Sequence, residues 1–209
     1  MVEESLYEQL FALTTIMKQR VVDNFDGDSL NERWRVRNIT GVGSATMVDA
    51  VDEGLQVVTG GGISDQTAID FNDIRHYSNI ASVMLMIAKR TSTIVNTNHE
   101  VGLAEDASSG SLSGAWFLDS TTQTFKRGHT GDGTTGSELD TSIAIDTLFK
   151  SYKVECRSAD VLFSISDVLE ITKTTNLPVG KMQPYMKSLA NTNTGARLTN
   201  IRYLEVFNK

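Results

Sequence analysis

The chain has 209 residues, enough for one sizeable domain with a short appendage. Its formal net charge is -7 and its Lys and Arg are scattered, which excludes the clustered basic surface of a nucleic-acid grip. No apolar run approaches the roughly 18 residues a membrane span needs, so no membrane insertion is expected.

The N-terminal residues MVEESLYEQL are acidic where a secretory signal is basic, so export by the general secretory route is not expected. Over residues 3–21, Leu6, Leu10, Leu13 and Met17 recur at helical spacing. This predicts an amphipathic helix of about five turns, with acidic residues first and basic residues last, as the helix dipole favours. So short a helix must pack on something, either its own domain or copies of itself. Leu6, Leu10, Leu13 and Met17 are the expected oligomer contact.

Phe25, Leu30 and Trp34 follow as apolar anchors around an Asp-Gly turn. Asp26, Asp28 and Glu32 resemble half of a calcium loop. The sixth place is Asn31 and the twelfth Arg37, so the stretch reads as a solvated turn and no metal site is expected.

From Ala45 onward the pattern is of short strands with turn signals between them. Expected strands are Ala45–Val51, Leu55–Thr59, Gln66–Phe71, Asn79–Lys89, His99–Leu103, Ala115–Leu118 and Thr124–Arg127. Asn79–Lys89 is apolar on both faces, the mark of a strand covered on both sides. The glycine-rich Gly128–Gly136 lacks the Lys-Ser/Thr of a phosphate loop and reads as a hairpin loop. Tyr152, Val154 and Cys156 alternate with Lys153, Glu155 and Arg157. Past a tight turn, Val161, Phe163 and Ile165 alternate with polar neighbours, giving a hairpin with unlike faces. Cys156, the single cysteine, has no sulfur partner and no nearby His, and reads as a small buried hydrophobe. Met182–Ser188 and Arg197–Val206 close the series. The whole predicts an all-β sandwich or jelly roll.

Several stretches carry a resemblance: FDGDSLNERWRV, GLQV, YKVECRSADVLFSISD, LPVGKMQPYMKSL and LTNIRYLEVFN, in that order. Together they resemble the concanavalin A-like lectin/glucanase superfamily over about residues 22–208. AIDFNDIRHYSNIASVMLMIAKR and GLAEDASSGSLSGAWFLD also look like modules of virus and bacteriophage particle proteins. The resemblance implies an all-β concanavalin A-like jelly-roll β-sandwich over 22–209, behind the short N-terminal α-helix over 1–21.

The glucanases of that superfamily carry Glu-x-Asp-x-x-Glu on one strand, which supplies a nucleophile and an acid/base. No match is found: Asp140–Asp146 lacks a Glu, and Asp167-Val-Leu-Glu170 has the wrong spacing. His76, His99 and His129 are dispersed and read as surface or loop residues, without zinc-site spacing. Trp34 and Trp116 are expected in core packing, although Trp116 and Tyr185 are also the candidate glycan contacts.

These readings lead to a non-enzymatic structural or attachment component of a viral, phage-like particle, without cofactors and located in the virion. It would oligomerise through its N-terminal helix and meet other particle proteins. A carbohydrate-binding module for surface glycans is the alternative, and a divergent glycoside hydrolase a further one.

Overall fold

The computed structural model describes residues 20–48, 54–71, 77–90, 97–106, 113–190 and 198–209. Among these, every regular element is a strand: β1 (Val21–Asp23), β2 (Trp34–Thr40), β3 (Gly43–Val48), β4 (Gly54–Thr59), β5 (Gln66–Phe71), β6 (Tyr77–Ser78), β7 (Ala81–Arg90) and β8 (Thr97–Ala104). The rest are β9 (Ser113–Ser120), β10 (Phe125–Asp132), β11 (Gly136–Ala144), β12 (Lys150–Arg157), β13 (Val161–Ile165), β14 (Val168–Lys173), β15 (Lys181–Ala190) and β16 (Leu198–Asn208).

They form two antiparallel sheets. The first runs β14-β13-β12-β7-β16-β4-β3, with β1 paired to β16. The second runs β11-β10-β9-β8-β15-β5-β2, with β6 paired to β15. Alternation along each strand aims one row of side chains between the sheets. In β12, Tyr152, Val154 and Cys156 are buried in the core while Lys153, Glu155 and Arg157 point away. β7 lies between β12 and β16, and Met84, Met86 and Ala88 enter the core, while Leu85 and Ile87 on its other face stay partly exposed, so the cover expected on both faces is found fully on one. Phe117 crosses between the sheets to meet Tyr152 and Phe163, with ring centroids 5.0 and 5.1 Å apart.

The expected late hairpin is present as β12 and β13, and β14 extends it into a meander. Its final turn places Ser166 and Asp167 at positive φ, a geometry that short polar residues tolerate. Cys156 is free and completely buried, and burial pushes its thiol up to about 12.

Several expectations change. Of the helix expected over 1–21, only Arg20 and Val21 are described; Val21 opens β1, pairing with Val206, so these two residues are not helical. Leu6, Leu10, Leu13 and Met17 lie outside the described residues. Trp34 is core, as expected, but it begins β2 rather than closing a turn. It packs between Phe25 and Phe71 and donates from Nε1 to Asp23 Oδ2 at 2.7 Å. The glycine-rich stretch is mostly strand: β10 runs to Asp132, and only the tip turns before β11 starts at Gly136. β11 itself was hidden because the run GSELDTSIA is mostly exposed and has no apolar stripe.

On the outward face of the first sheet, Glu155 is 5% exposed and gathers Lys209, Arg157 and Lys153 at 2.6, 2.8 and 3.4 Å. Burial alone would raise its pKa, but the hydrogen bonds and charges of Lys209 and Arg157 outweigh it and bring it down to about 2. A carboxylate depressed in the folded state stabilises at pH above its ordinary value and loses that contribution as pH falls through the folded one. Glu155→Gln should therefore narrow its stability deficit, about 2 kcal/mol at neutral pH, between pH 4.5 and 2. Urea titrations of both proteins across that window measure it.

Candidate functional site

The outward face of the second sheet carries the candidate site. Ala115 and Phe117 of β9 enter the main core, so Trp116 between them points the other way. It joins Ala68, Ala104 and Tyr185 in a separate cluster, with Ile39 packed against it. Trp116 is therefore packed and buried, as expected, but in this outer cluster rather than between the sheets.

The ladder register lines these positions up. One row crosses all the strands from β11 to β2: Glu138, His129, Trp116, Gly102, Tyr185, Asp70 and Arg35. The next row is Asp140, Arg127, Leu118, Glu100, Lys187, Ala68 and Arg37. Cross-strand neighbours on one face lie about 5 Å apart, so each row is a line of adjacent side chains, interrupted in the first only at Gly102.

At one end the His129 ring stacks on Trp116, centroids 4.0 Å apart and planes 19° apart. His129 Nδ1 lies 3.3 Å from Glu138 Oε1, and Arg127 bridges Glu138 at 3.0 Å and Asp140 at 2.5 Å. The contacts to His129 and Arg127 outweigh burial and hold the Glu138 carboxyl below its ordinary range.

In the middle, Tyr185 meets Trp116 edge-on and donates its hydroxyl to Glu100 Oε2 at 2.7 Å. Lys187 Nζ reaches the same oxygen at 2.9 Å. Tyr185 is wholly buried, and burial with the adjacent Glu100 charge pushes its hydroxyl well above the usual range. Its hydroxyl therefore serves Glu100. Trp116 keeps 7% of its surface exposed.

At the far end Asp70 is completely buried. Arg35 grips it in two places, at 2.9 and 3.1 Å, and Arg37 adds a contact at 2.8 Å. Arg37 also meets Asp106 at 3.2 Å. The ends of the rows are the open part: the side chains of Asp140, Arg35 and Glu138 are 53%, 37% and 33% exposed.

Sequence reasoning missed Glu100. It heads the run Glu100-Val-Gly102-Leu-Ala-Glu105, which keeps both glutamates of Glu-x-Asp-x-x-Glu and places Gly102 at the aspartate. That spacing was the available signal. β8 keeps unbroken register to Ala104, so the odd spacing puts Glu105 out of phase with Glu100. A Cβ at Gly102 would lie 2.4 Å from both the Ala115 carbonyl oxygen and Trp116 Cα, so no side chain fits there.

The histidines also differ from expectation. His129 belongs to the rows, and His99 is buried in the sandwich, its Nδ1 2.5 Å from Thr199 Oγ1. Both lie in strands, while His76 is outside the described residues. Asp26 and Asp28 are exposed and do not converge with Glu32, and no metal-holding group of His, Cys, Asp or Glu occurs among the described residues.

Two antiparallel sheets in this arrangement, with the charged and aromatic rows on the outward face of one, are a concanavalin A-like jelly roll. Solved structures of that fold cover nearly the whole chain. A Bacillus licheniformis β-glucanase aligns with TM-score 0.69 at 8% identity, over 91% of this chain and 98% of that one. The carbohydrate recognition domain of Emp47p aligns with TM-score 0.65 at 10% identity, over 91% and 95%. The Crh5 transglycosylase aligns with TM-score 0.64 at 14% identity, over 91% and 84%. No protein-family model matches the sequence, and no curated protein matches it either.

These likenesses correct two expectations. The expected non-enzymatic component of a viral particle is not what these three structures are: they are a glucanase, a carbohydrate recognition domain and a transglycosylase. The expectation of no catalysis falls with it, because the fold is one that hosts glycoside chemistry in its solved examples.

Proposed function

We propose that the protein binds carbohydrate on the outward face of its second sheet, along the paired rows. The observation that carries this reading is the stacked Trp116–His129 pair beside the Glu100–Lys187–Tyr185 cluster. An aromatic edge gives a sugar ring an apolar contact, and fixed charged groups beside it bind hydroxyls through charge-assisted hydrogen bonds. His129, Glu138 and Arg127 lie within reach of a ligand lying over Trp116. Tyr185 acts by orienting Glu100.

The test is a glycan array probed with the intact protein. Native protein should bind a subset of glycans, and His129→Ala and Trp116→Ala should each weaken binding at least about tenfold, a loss of some 1.4 kcal/mol. Circular dichroism of each variant separates lost contact from lost fold. A native protein silent across the array overturns the proposal.

A second reading, glycoside cleavage or transfer, is favoured by Glu100 itself. It sits on β8 in the middle of the sheet, where the Tyr185 hydroxyl and the Lys187 ammonium hold one carboxylate oxygen in place at 2.7 and 2.9 Å, as a positioned nucleophile requires. Incubation with the glycans bound on the array tests it: new reducing ends or transfer products should form, and Glu100→Gln should stop them while binding persists.

A further inference from the structure

The outward face of the first sheet carries an apolar stripe. Met84, Met86 and Ala88 of β7 enter the core, so Val83, Leu85 and Ile87 point the other way. The register sets Phe207 of β16 beside Val83 and Tyr203 beside Ile87. Leu85, Ile87, Tyr203 and Phe207 are all partly exposed. Every described strand belongs to one of the two sheets, so none lies over this stripe. An antiparallel sheet face that meets water is ordinarily polar. Past Ile87 the face changes character: Lys89 Nζ and the Arg202 guanidinium flank the Phe149 ring, 4.5 and 3.6 Å from its centroid. The face therefore runs from apolar at Phe207 to cationic at Lys89.

The chain enters this face at its apolar end. Val21 lies opposite Val206, and Arg20 Nη2 is 2.7 Å from Glu205 Oε1 on the outward side of β16. Residues 3–19 are thus tethered beside Phe207. Their sequence has the same polarity as the face. Met17, Leu13, Leu10 and Leu6 recur at helical spacing nearest the tether, and Glu3 and Glu4 come last. The lengths agree as well. A helix over 3–19 spans about 26 Å. From Phe207 to Asn200, the partner of Lys89, β16 covers about 23 Å.

We propose that residues 3–19 lie back along β7 and β16 as an amphipathic helix. Its leucine stripe covers Val83, Leu85 and Ile87, and Glu3 and Glu4 come beside Lys89 and Arg202. β7 then gains the cover on its second face that its apolar sequence predicts. Tethering favours the chain's own segment over that of a second copy, because a short linker holds it at an effective concentration on the order of millimolar. The helix lies on the opposite side of the sandwich from the charged rows of the second sheet.

Two measurements on the full chain test this. Carbodiimide joins carboxylates to amines in direct contact, and Glu155 with Lys209, 2.6 Å apart, is the internal control. In an equal mixture of unlabelled and nitrogen-15-labelled protein, Glu3, Glu4 or Glu8 should cross-link to Lys89 within single copies. Cross-links joining labelled to unlabelled chains would assign the face to a second copy, and no cross-link at Lys89 would leave it uncovered; either overturns the proposal. Leu10 falls about 15 Å from Arg20 along the helix, level with Ile87. Leu10→Ala and Ile87→Ala should each lower Tm by about 3–6 °C at any protein concentration, and the double variant should lose less than the sum. Additive losses, or a midpoint that rises with concentration, also overturn it. If Ile87→Ala does not fold, the cross-links on the native protein decide alone.

Discussion

Asp70→Ala is expected to cost about 4 kcal/mol of folding stability, the largest loss of any single charge on the second sheet. Asp70 has no exposed surface, and two arginines from β2 converge on it. Removing the carboxylate opens a fully buried site in the sheet face and takes the main acceptor from two partly exposed guanidinium groups. The arginine side is less sensitive, because Arg35 is 37% exposed and can return to water. Arg35→Met should therefore cost about 1 kcal/mol, and the double variant should cost less than the sum. Urea denaturation of the two single variants and the double variant gives this coupling directly. Additive losses would mean that Asp70 is held by something other than these arginines.

The second large effect belongs to Gly102. In most strands Gly→Ala is mildly stabilising, because alanine loses less backbone entropy on folding. Here the added Cβ would meet the backbone of β9 at 2.4 Å. Backbone in a paired strand cannot swing aside as the tip of a side chain can, so β8 and β9 must separate locally. Gly102→Ala is expected to destabilise by about 3 kcal/mol. The same shift moves Trp116, so glycan binding should fall in the molecules that remain folded. Thermal melts and binding assays on one sample separate the two effects. A neutral or stabilising outcome would show that the strands have room that their spacing here denies.

The sandwich was legible because its central strands alternate cleanly. Tyr152, Val154 and Cys156 advertise a strand with one buried face, and the apolar run Val83 to Ala88 advertises a strand in the interior of a sheet. Edge strands were harder to read. β11 and β14 bury few residues, so they lack an apolar stripe, and β2 is obscured by its alternating arginines. The site was legible only in fragments. Trp116 and Tyr185 stood out as aromatics, but nothing in their local sequence reveals that both face away from the central core. Glu100 was passed over because its run lacks the middle aspartate. His129 lay within a stretch whose glycines read as a loop, although Gly128 and Gly131 sit inside β10. What joins these residues is register between strands far apart in the chain, and a local pattern carries no trace of it.

The rows have a consequence for assembly. Arg35 and Glu138 end one line of neighbours yet are a hundred positions apart in sequence, and each residue between them is delivered by a different strand. No hairpin contains the site, and no fragment can rehearse it. Since such non-local pairings pay their loop-closure entropy before any contact rewards it, the binding surface should be among the last features to mature during folding. Recovery of ligand binding after dilution from denaturant would then report completion of the whole sheet, strand by strand and in phase.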